Sequence, residues 1–203
     1  MKLDKFLALS AYAVQAVATL GLVFAVSHLL SGREYGHYSL IAATSQSAAV
    51  LGFEWGRLAA SRFCAAKDGG DTRQRKDTIQ AAFAGAAVLI LCVAICGVML
   101  GLASVQEVAV GLGIALLIGV TDILLVFLRV QGSFNQFAIL QMLRAFALIG
   151  GSVAGAYWGQ SALTGLVGLC AGYGVTLVVY VVAAPNWWAW RVENVRHAMF
   201  KEM

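Results

Sequence analysis

The chain has 203 residues, of which 61% are hydrophobic and only 12% charged, with a formal net charge of +4. Soluble domains carry about 25% charged residues, so this chain has too little polar surface for a globule in water. A soluble enzyme, a disordered chain and a collagen-like chain are excluded, and the reading that remains is an all-α polytopic membrane protein.

The first apolar span runs from about Phe6 to Leu30 with no charged residue inside it. It is too long for the h-region of a signal peptide and no small-residue cleavage site follows, so it is expected to be a retained helix. Gly32-Arg33-Glu34-Tyr35-Gly36 reads as a short loop. The second span, about Tyr38 to Cys64, contains Glu54 and Arg57. The main hydrophilic break is Ala66 to Asp77. The third span is about Thr78 to Ala103, and Glu107 marks the next turn. The fourth is about Val108 to Val130 with Asp122 inside, and Gln131 to Gln136 is a polar break. The fifth is about Phe137 to Trp158 with Arg144 inside, Gly159-Gln160-Ser161 is a tight turn, and the sixth, about Leu163 to Ala184, is closed by Pro185. Each span is long enough for a hydrocarbon core of about 30 Å at about 1.5 Å per residue. The runs are continuous rather than alternating, which predicts helices and not barrel strands.

Two parts are expected: a six-helix transmembrane lobe over 1–185 and an amphipathic tail or linker over 186–203. In the tail, Trp188, Val192, Val195 and Met199 share one helical face, while Arg191, Arg196, His197 and Lys201 occupy others. That pattern suits a helix lying on the inner leaflet. Lysine and arginine set the orientation. With the N-terminus cytoplasmic, Lys2, Lys5, Arg62, Lys67, Arg73, Arg75, Lys76, Arg129, Arg191, Arg196 and Lys201 lie on the inner side, and Arg33 alone lies in an outer loop. Both termini are therefore expected inside. Trp158, Trp187, Trp188 and Trp190 fall at span ends, as interfacial aromatics do. The positive charge belongs to topology, so no nucleic-acid partner is expected.

No catalytic constellation is visible. The histidines are His28, His37 and His197, and only His28 lies in a span, near its outer end. A single aspartate, Asp122, sits inside a span, where metal-dependent phosphotransfer would need several. Cys64, Cys92, Cys96 and Cys170 all lie in apolar stretches and read as small buried hydrophobes. Two thiols, Cys92 and Cys96, do not make a metal site. The chain is read as not an enzyme, with no catalytic residues, no metal and no cofactor.

The charges inside spans are the informative residues. Each costs about 2.5–3.5 kcal/mol at the centre of a membrane helix, so each needs a partner or a wet cavity. Glu54 and Arg57 are three apart and can pair on one helical face. Asp122 lies just beyond the middle of its span and Arg144 about two turns into its own, which puts all four in the cytoplasmic half. Either they neutralise one another and fix helix packing, or they line a polar cavity for an anionic head group with Arg57 or Arg144 as donor. Small residues four apart (Gly52/Gly56, Gly97/Gly101, Gly151/Gly155, Gly155/Gly159, Gly168/Gly172) predict close helix packing.

The segment from Leu30 to Leu40, with its Tyr35-Gly36-His37-Tyr38 core, resembles the loop after the first helix of bacterial polysaccharide (Wzx-like) flippases. The likeness continues through Gly52-Phe53-Glu54-Trp55-Gly56-Arg57 to Arg62-Phe63, and the break from Arg129 to Arg144 is similar to that family's as well. The resemblance implies the N-terminal lobe of a two-lobe exporter of the multidrug/oligosaccharidyl-lipid/polysaccharide superfamily. Such proteins move lipid-linked oligosaccharide from the inner to the outer leaflet of the bacterial inner membrane during polysaccharide biosynthesis. It implies that Arg57 and Arg144, with Glu54 and Asp122, face the cavity and meet the pyrophosphate. Membrane lipid and the lipid-linked sugar are the implied partners. Only one lobe is covered, so a fragment, a split gene product or an assembly with a second lobe or a second copy is expected. Two other classes stay open: a six-helix small-molecule-binding membrane subunit, and a multidrug-extrusion transporter with a cation-selective acidic cavity.

Overall fold

A computed structural model describes residues 2–63, 72–101 and 103–183. Residues 64–71 and the tail from 184 onward lie outside the described residues, and with them the readings placed on Cys64, on the loop lysine Lys67 and on the amphipathic tail; of the hydrophilic break read as Ala66 to Asp77, residues 72–77 are helical and begin the third helix. The described chain forms six helices: α1 Lys2–Leu29, α2 Gly32–Phe63, α3 Thr72–Met99, α4 Val105–Val130, α5 Phe134–Gly159 and α6 Ala162–Ala183. All except α2 are long and apolar enough to cross a membrane. The expected all-α architecture is what the described chain adopts, with six helices, five of them long and apolar enough to cross a membrane.

Beyond the early start of α3, helix ends depart from the sequence reading in three more places, two through caps and one through a glycine turn. Only Leu30 and Ser31 separate α1 from α2, because the stretch Gly32–Gly36 read as a loop is the first turn of α2. Ser31 supports that turn: its carbonyl accepts from the Tyr35 amide at 2.8 Å and its Oγ from the Glu34 amide at 3.4 Å. Glu107 is not in a turn either. It is the third residue of α4, where it and Ser104 cap each other reciprocally: the Glu107 carboxylate accepts from the Ser104 amide at 3.0 Å, and Ser104 Oγ accepts from the Glu107 amide at 3.3 Å. The break read as Gln131–Gln136 is only Gln131–Ser133, since Gly132 at φ +75° reverses the chain and α5 starts at Phe134. The tight turn at Gly159-Gln160-Ser161 is present, with Gln160 left-handed at φ 47° and its amide bonded to the Ala156 carbonyl.

Packing grades from tight to loose across the bundle. α5 and α6 touch backbone to backbone. A Cβ added at Gly151, Gly155 or Gly168 would sit about 2 Å from a carbonyl oxygen of the facing helix, and at Gly172 it would meet the Ala147 carbonyl at 2.3 Å. The small-residue reading therefore holds for α5 and α6. It does not hold for Gly97 and Gly101, where an added Cβ meets nothing within 4 Å, and Gly101 instead takes φ +69° just after α3. Gly56 is likewise open, and Gly52 faces only the flexible tip of Ile90. α1 packs mainly on α5 and α2 mainly on α4, with little contact between α1 and α2. α4 is central, with half of its span buried inside the bundle, whereas only 6% of the α3 span is. Because α3 is peripheral, Cys92 and Cys96 are exposed on its surface and are not buried hydrophobes; Cys170 is half-buried.

One buried cluster lies at the end carrying the α1–α2 and α5–α6 turns: Val26, Leu30, Tyr38, Ile114, Leu148, Leu166 and Tyr173. Another joins α1, α4, α5 and α6 toward the opposite end: Ala11, Leu124, Leu128, Phe137, Leu140 and Tyr180. Between them the helices stand apart and leave a cavity.

Candidate functional site: a charged cavity inside the bundle

α2 explains the cavity. Tyr35, Tyr38, Ala42, Gln46, Ala49, Phe53 and Arg57 recur every three or four residues and line it. This stripe, which also carries Ser39 and Glu54, is what leaves α2 less apolar than its neighbours: its polar side faces an interior space. The upper chamber, about 700 Å³, is lined by α1, α2, α4, α5 and α6. A lower chamber of about 460 Å³ adjoins it toward the end where α1 begins and α4 ends, lined by Tyr12, Ser61, Arg129 and Gln141 among others. Gln15, Arg57, Asp122 and Arg144 line both chambers and mark the level where they meet. Both volumes lie in the range of ordinary ligand sites, about 300–1,000 Å³.

All four charged residues singled out in the sequence reach this cavity. They form two separate pairs. Arg57 donates to the Glu54 carboxylate at 2.5 Å within α2, with both side chains more than a third exposed. Arg144 of α5 donates from one Nη to the Asp122 carboxylate of α4 at 2.5 Å, and here the side-chain exposures fall to 11% and 31%. Its second Nη points to the Tyr173 hydroxyl of α6 at 3.4 Å, and the guanidinium carbon lies 5.2 Å from the Tyr173 ring centre. Asp122, Arg144 and Tyr173 thus link three helices at the cavity wall, where the low dielectric strengthens the attraction and makes each charge costly to leave alone. The network read as a single cluster of two acids and two bases is resolved into one exposed local pair and one buried pair between helices.

Gln15 and Gln141 were not singled out in the sequence, and Arg129 was read there only for topology and the resemblance. Gln15 and Gln141 each bury a side-chain oxygen with no hydrogen-bond partner, and Arg144 Nε is likewise unpartnered. Arg129 donates to the Tyr12 hydroxyl at 3.1 Å, joining α4 to α1 at the rim of the lower chamber. An amide in an otherwise apolar span is itself a signal, because burying it unpaired costs roughly 1–3 kcal/mol, and Gln15 and Gln141 both carried that signal.

The Tyr35–Tyr38 segment serves the opposite end. Glu34 accepts the Ala162 amide at 2.7 Å and so caps α6, Tyr38 shares a 2.8 Å hydrogen bond with Ser152 of α5, and His37 lies 3.5 Å from the Glu107 carboxylate of α4. These residues tie the start of α2 to three other helices and close that end of the upper chamber. No protein-family model, curated protein or solved structure matches this chain.

Proposed function

We propose that this chain is one lobe of a membrane transporter that carries a lipid-linked oligosaccharide from the inner to the outer leaflet of a bacterial inner membrane. The observation that supports it most is the convergence of Glu54, Arg57, Asp122 and Arg144 on one cavity inside a bundle of apolar, membrane-length helices. A charge held at such depth marks a substrate path more often than a packing device. The cavity also has the two characters an amphiphile needs: mostly apolar walls in the upper chamber, from Leu22 and Val23 to Ile118 and Leu169, and a charged level below.

In this reading the chain transports and does not catalyse, and it works with a second lobe that supplies the facing wall. Its two ends lie in the cytoplasm. The likeness of the Tyr35-Gly36-His37-Tyr38 and Arg129–Arg144 regions to polysaccharide flippases names the substrate class.

The test is complementation of a bacterial mutant that lacks its polysaccharide flippase, with the chain expressed alone and with a candidate second lobe. Restored surface polysaccharide supports the assignment. Failure of both, with the chain present in the inner membrane at normal levels, counts against it. Resistance to cationic dyes without restored polysaccharide would move the chain to multidrug extrusion.

A further inference from the structure

α3 parts from the bundle toward its C-terminal end. Phe83, Ala86, Ala87 and Ile90 pack against Ala49, Phe53 and Ala115, with the Phe53 and Phe83 rings stacked at 4.2 Å. Beyond Ile90 the contact lapses, and a Cβ added at Gly97 or Gly101 meets nothing within 4 Å. The wedge between the start of α2, the end of α3 and the start of α4 leaves a groove of about 250 Å³. It shares no lining residue with either chamber, because it lies behind α2, on the side turned away from the cavity. Ile41, Ala48, Ile90, Val93, Val108 and Leu112 make its walls apolar. Thr44 and Ser45 also line it, but both hydroxyls donate back to carbonyls of their own helix and offer no free proton. Among the described residues, Glu107 is the one charged side chain on the groove. Its Oε2 accepts from the Ser104 amide and hydroxyl at 3.0 and 2.7 Å. Its Oε1 has only His37 Nδ1 nearby, at 3.5 Å, too long for a strong hydrogen bond. Glu107 stands in the first turn of α4, whose apolar span starts at Val105, so this open acceptor lies at head-group depth.

We propose that this groove holds one phospholipid with a primary-amine head group, its ammonium on Glu107 Oε1 and an acyl chain along the apolar walls. Water has no partners on such walls, so hydrocarbon is the occupant that fills them. The charge at the lip then selects the head group. A carboxylate repels a head group of net negative charge. A quaternary choline is attracted but has no N–H to donate, whereas a primary ammonium brings three donors and makes a charge-assisted hydrogen bond to Oε1. The proposal needs only that these helices cross a membrane, and it holds whether or not the chain transports. In the competing account Glu107 does no more than cap α4, and the groove takes any lipid tail. Glu107→Gln separates the two, because glutamine also serves in a reciprocal cap with Ser104 and α4 keeps its start.

The full chain, purified in detergent, is mixed with phosphatidylethanolamine, phosphatidylcholine or phosphatidylglycerol of identical acyl chains, and native mass spectrometry reads the lipid retained. One phosphatidylethanolamine should be held about tenfold more tightly than either other lipid, the size of one charge-assisted hydrogen bond. Glu107→Gln should remove that preference. Ala94→Phe, which fills the groove from the peripheral α3, should weaken retention of all three lipids. Equal retention of the three lipids by the parent chain, or a preference that survives Glu107→Gln, would overturn the head-group assignment. Retention untouched by Ala94→Phe would put the lipid elsewhere and overturn the groove. Displacement of phosphatidylethanolamine by an equal concentration of polyprenyl phosphate would overturn the occupant and give the groove to a polyprenyl chain. Glu107→Gln keeps the experiment decisive if Ala94→Phe folds poorly.

Discussion

Arg144 sits where hydrocarbon would otherwise surround a charge, and Asp122 makes that position tolerable. Removing the arginine leaves the carboxylate facing the cavity without its partner. For a fully buried pair such a loss costs about 3–5 kcal/mol, and for an exposed pair about 0–1. The intermediate burial here places Arg144→Ala at about 1–3 kcal/mol by the same reasoning. Arg144→Ala with Asp122→Ala should regain much of that, which thermal unfolding in detergent of the two single variants and the double variant will read. Additive losses would mean that the pair does not hold α4 to α5. Tyr38→Phe is expected to cost about 1–2 kcal/mol, because it strips the buried Ser152 hydroxyl of its partner. A Tyr38→Phe/Ser152→Ala chain that is no less stable than Tyr38→Phe alone would confirm the coupling. These residues also show what the sequence holds at this scale. Glu54, Arg57, Asp122 and Arg144 stand out because charge is expensive in an apolar span, and the spacing of Glu54 and Arg57 gives their pairing. The partner of Arg144 is 22 residues away, on another helix, and only the packing of α4 and α5 selects it over Glu54. The bond from Arg129 to Tyr12 is not legible either, because a basic residue at a span end has an ordinary topological explanation.

The helices themselves follow from long apolar runs, and their ends follow from caps that hydropathy does not register. Polar residues between runs read as loop, yet Ser31 and Ser104 start helices and Glu107 belongs to one. Glycine spacing is equally double-valued. The same four-residue spacing brings α5 and α6 together at Gly151, Gly155, Gly168 and Gly172 but does nothing at Gly97, because a small residue matters only where another helix arrives. The contrast is measurable. In Gly151→Val the new side chain starts 2.2 Å from the Gly168 carbonyl oxygen, and a backbone neighbour cannot rotate away. The cost should lie at or above the upper end of the roughly 1–3 kcal/mol typical of overpacking. Gly97→Ala enters open space and should stay within about 1 kcal/mol of the parent chain, the size of the helix-propensity difference. Equal unfolding temperatures for the two variants would mean that α5 and α6 are not held by this contact.

At the scale of the whole molecule, the antiparallel run of helices gathers the start of α1, the end of α2, the start of α3 and the α4–α5 turn at one end. That end carries Lys2, Lys5, Arg62, Arg73, Arg75, Lys76 and Arg129, whereas the turns at the other end carry only Arg33. The proposed orientation, with the N-terminal end in the cytoplasm, follows if lysine and arginine are retained on that side. The lower chamber, lined by Arg57 and Arg129 among others, lies toward the same end, so in the proposed orientation it lies on the cytoplasmic side. In a chain freed of its native cysteines, Ala103→Cys in the exposed α3–α4 turn should react with a membrane-impermeant maleimide on intact cells. Gln131→Cys, exposed in the α4–α5 turn, should react only once the membrane is opened. The reverse pattern would turn the lower chamber outward and overturn the proposed orientation.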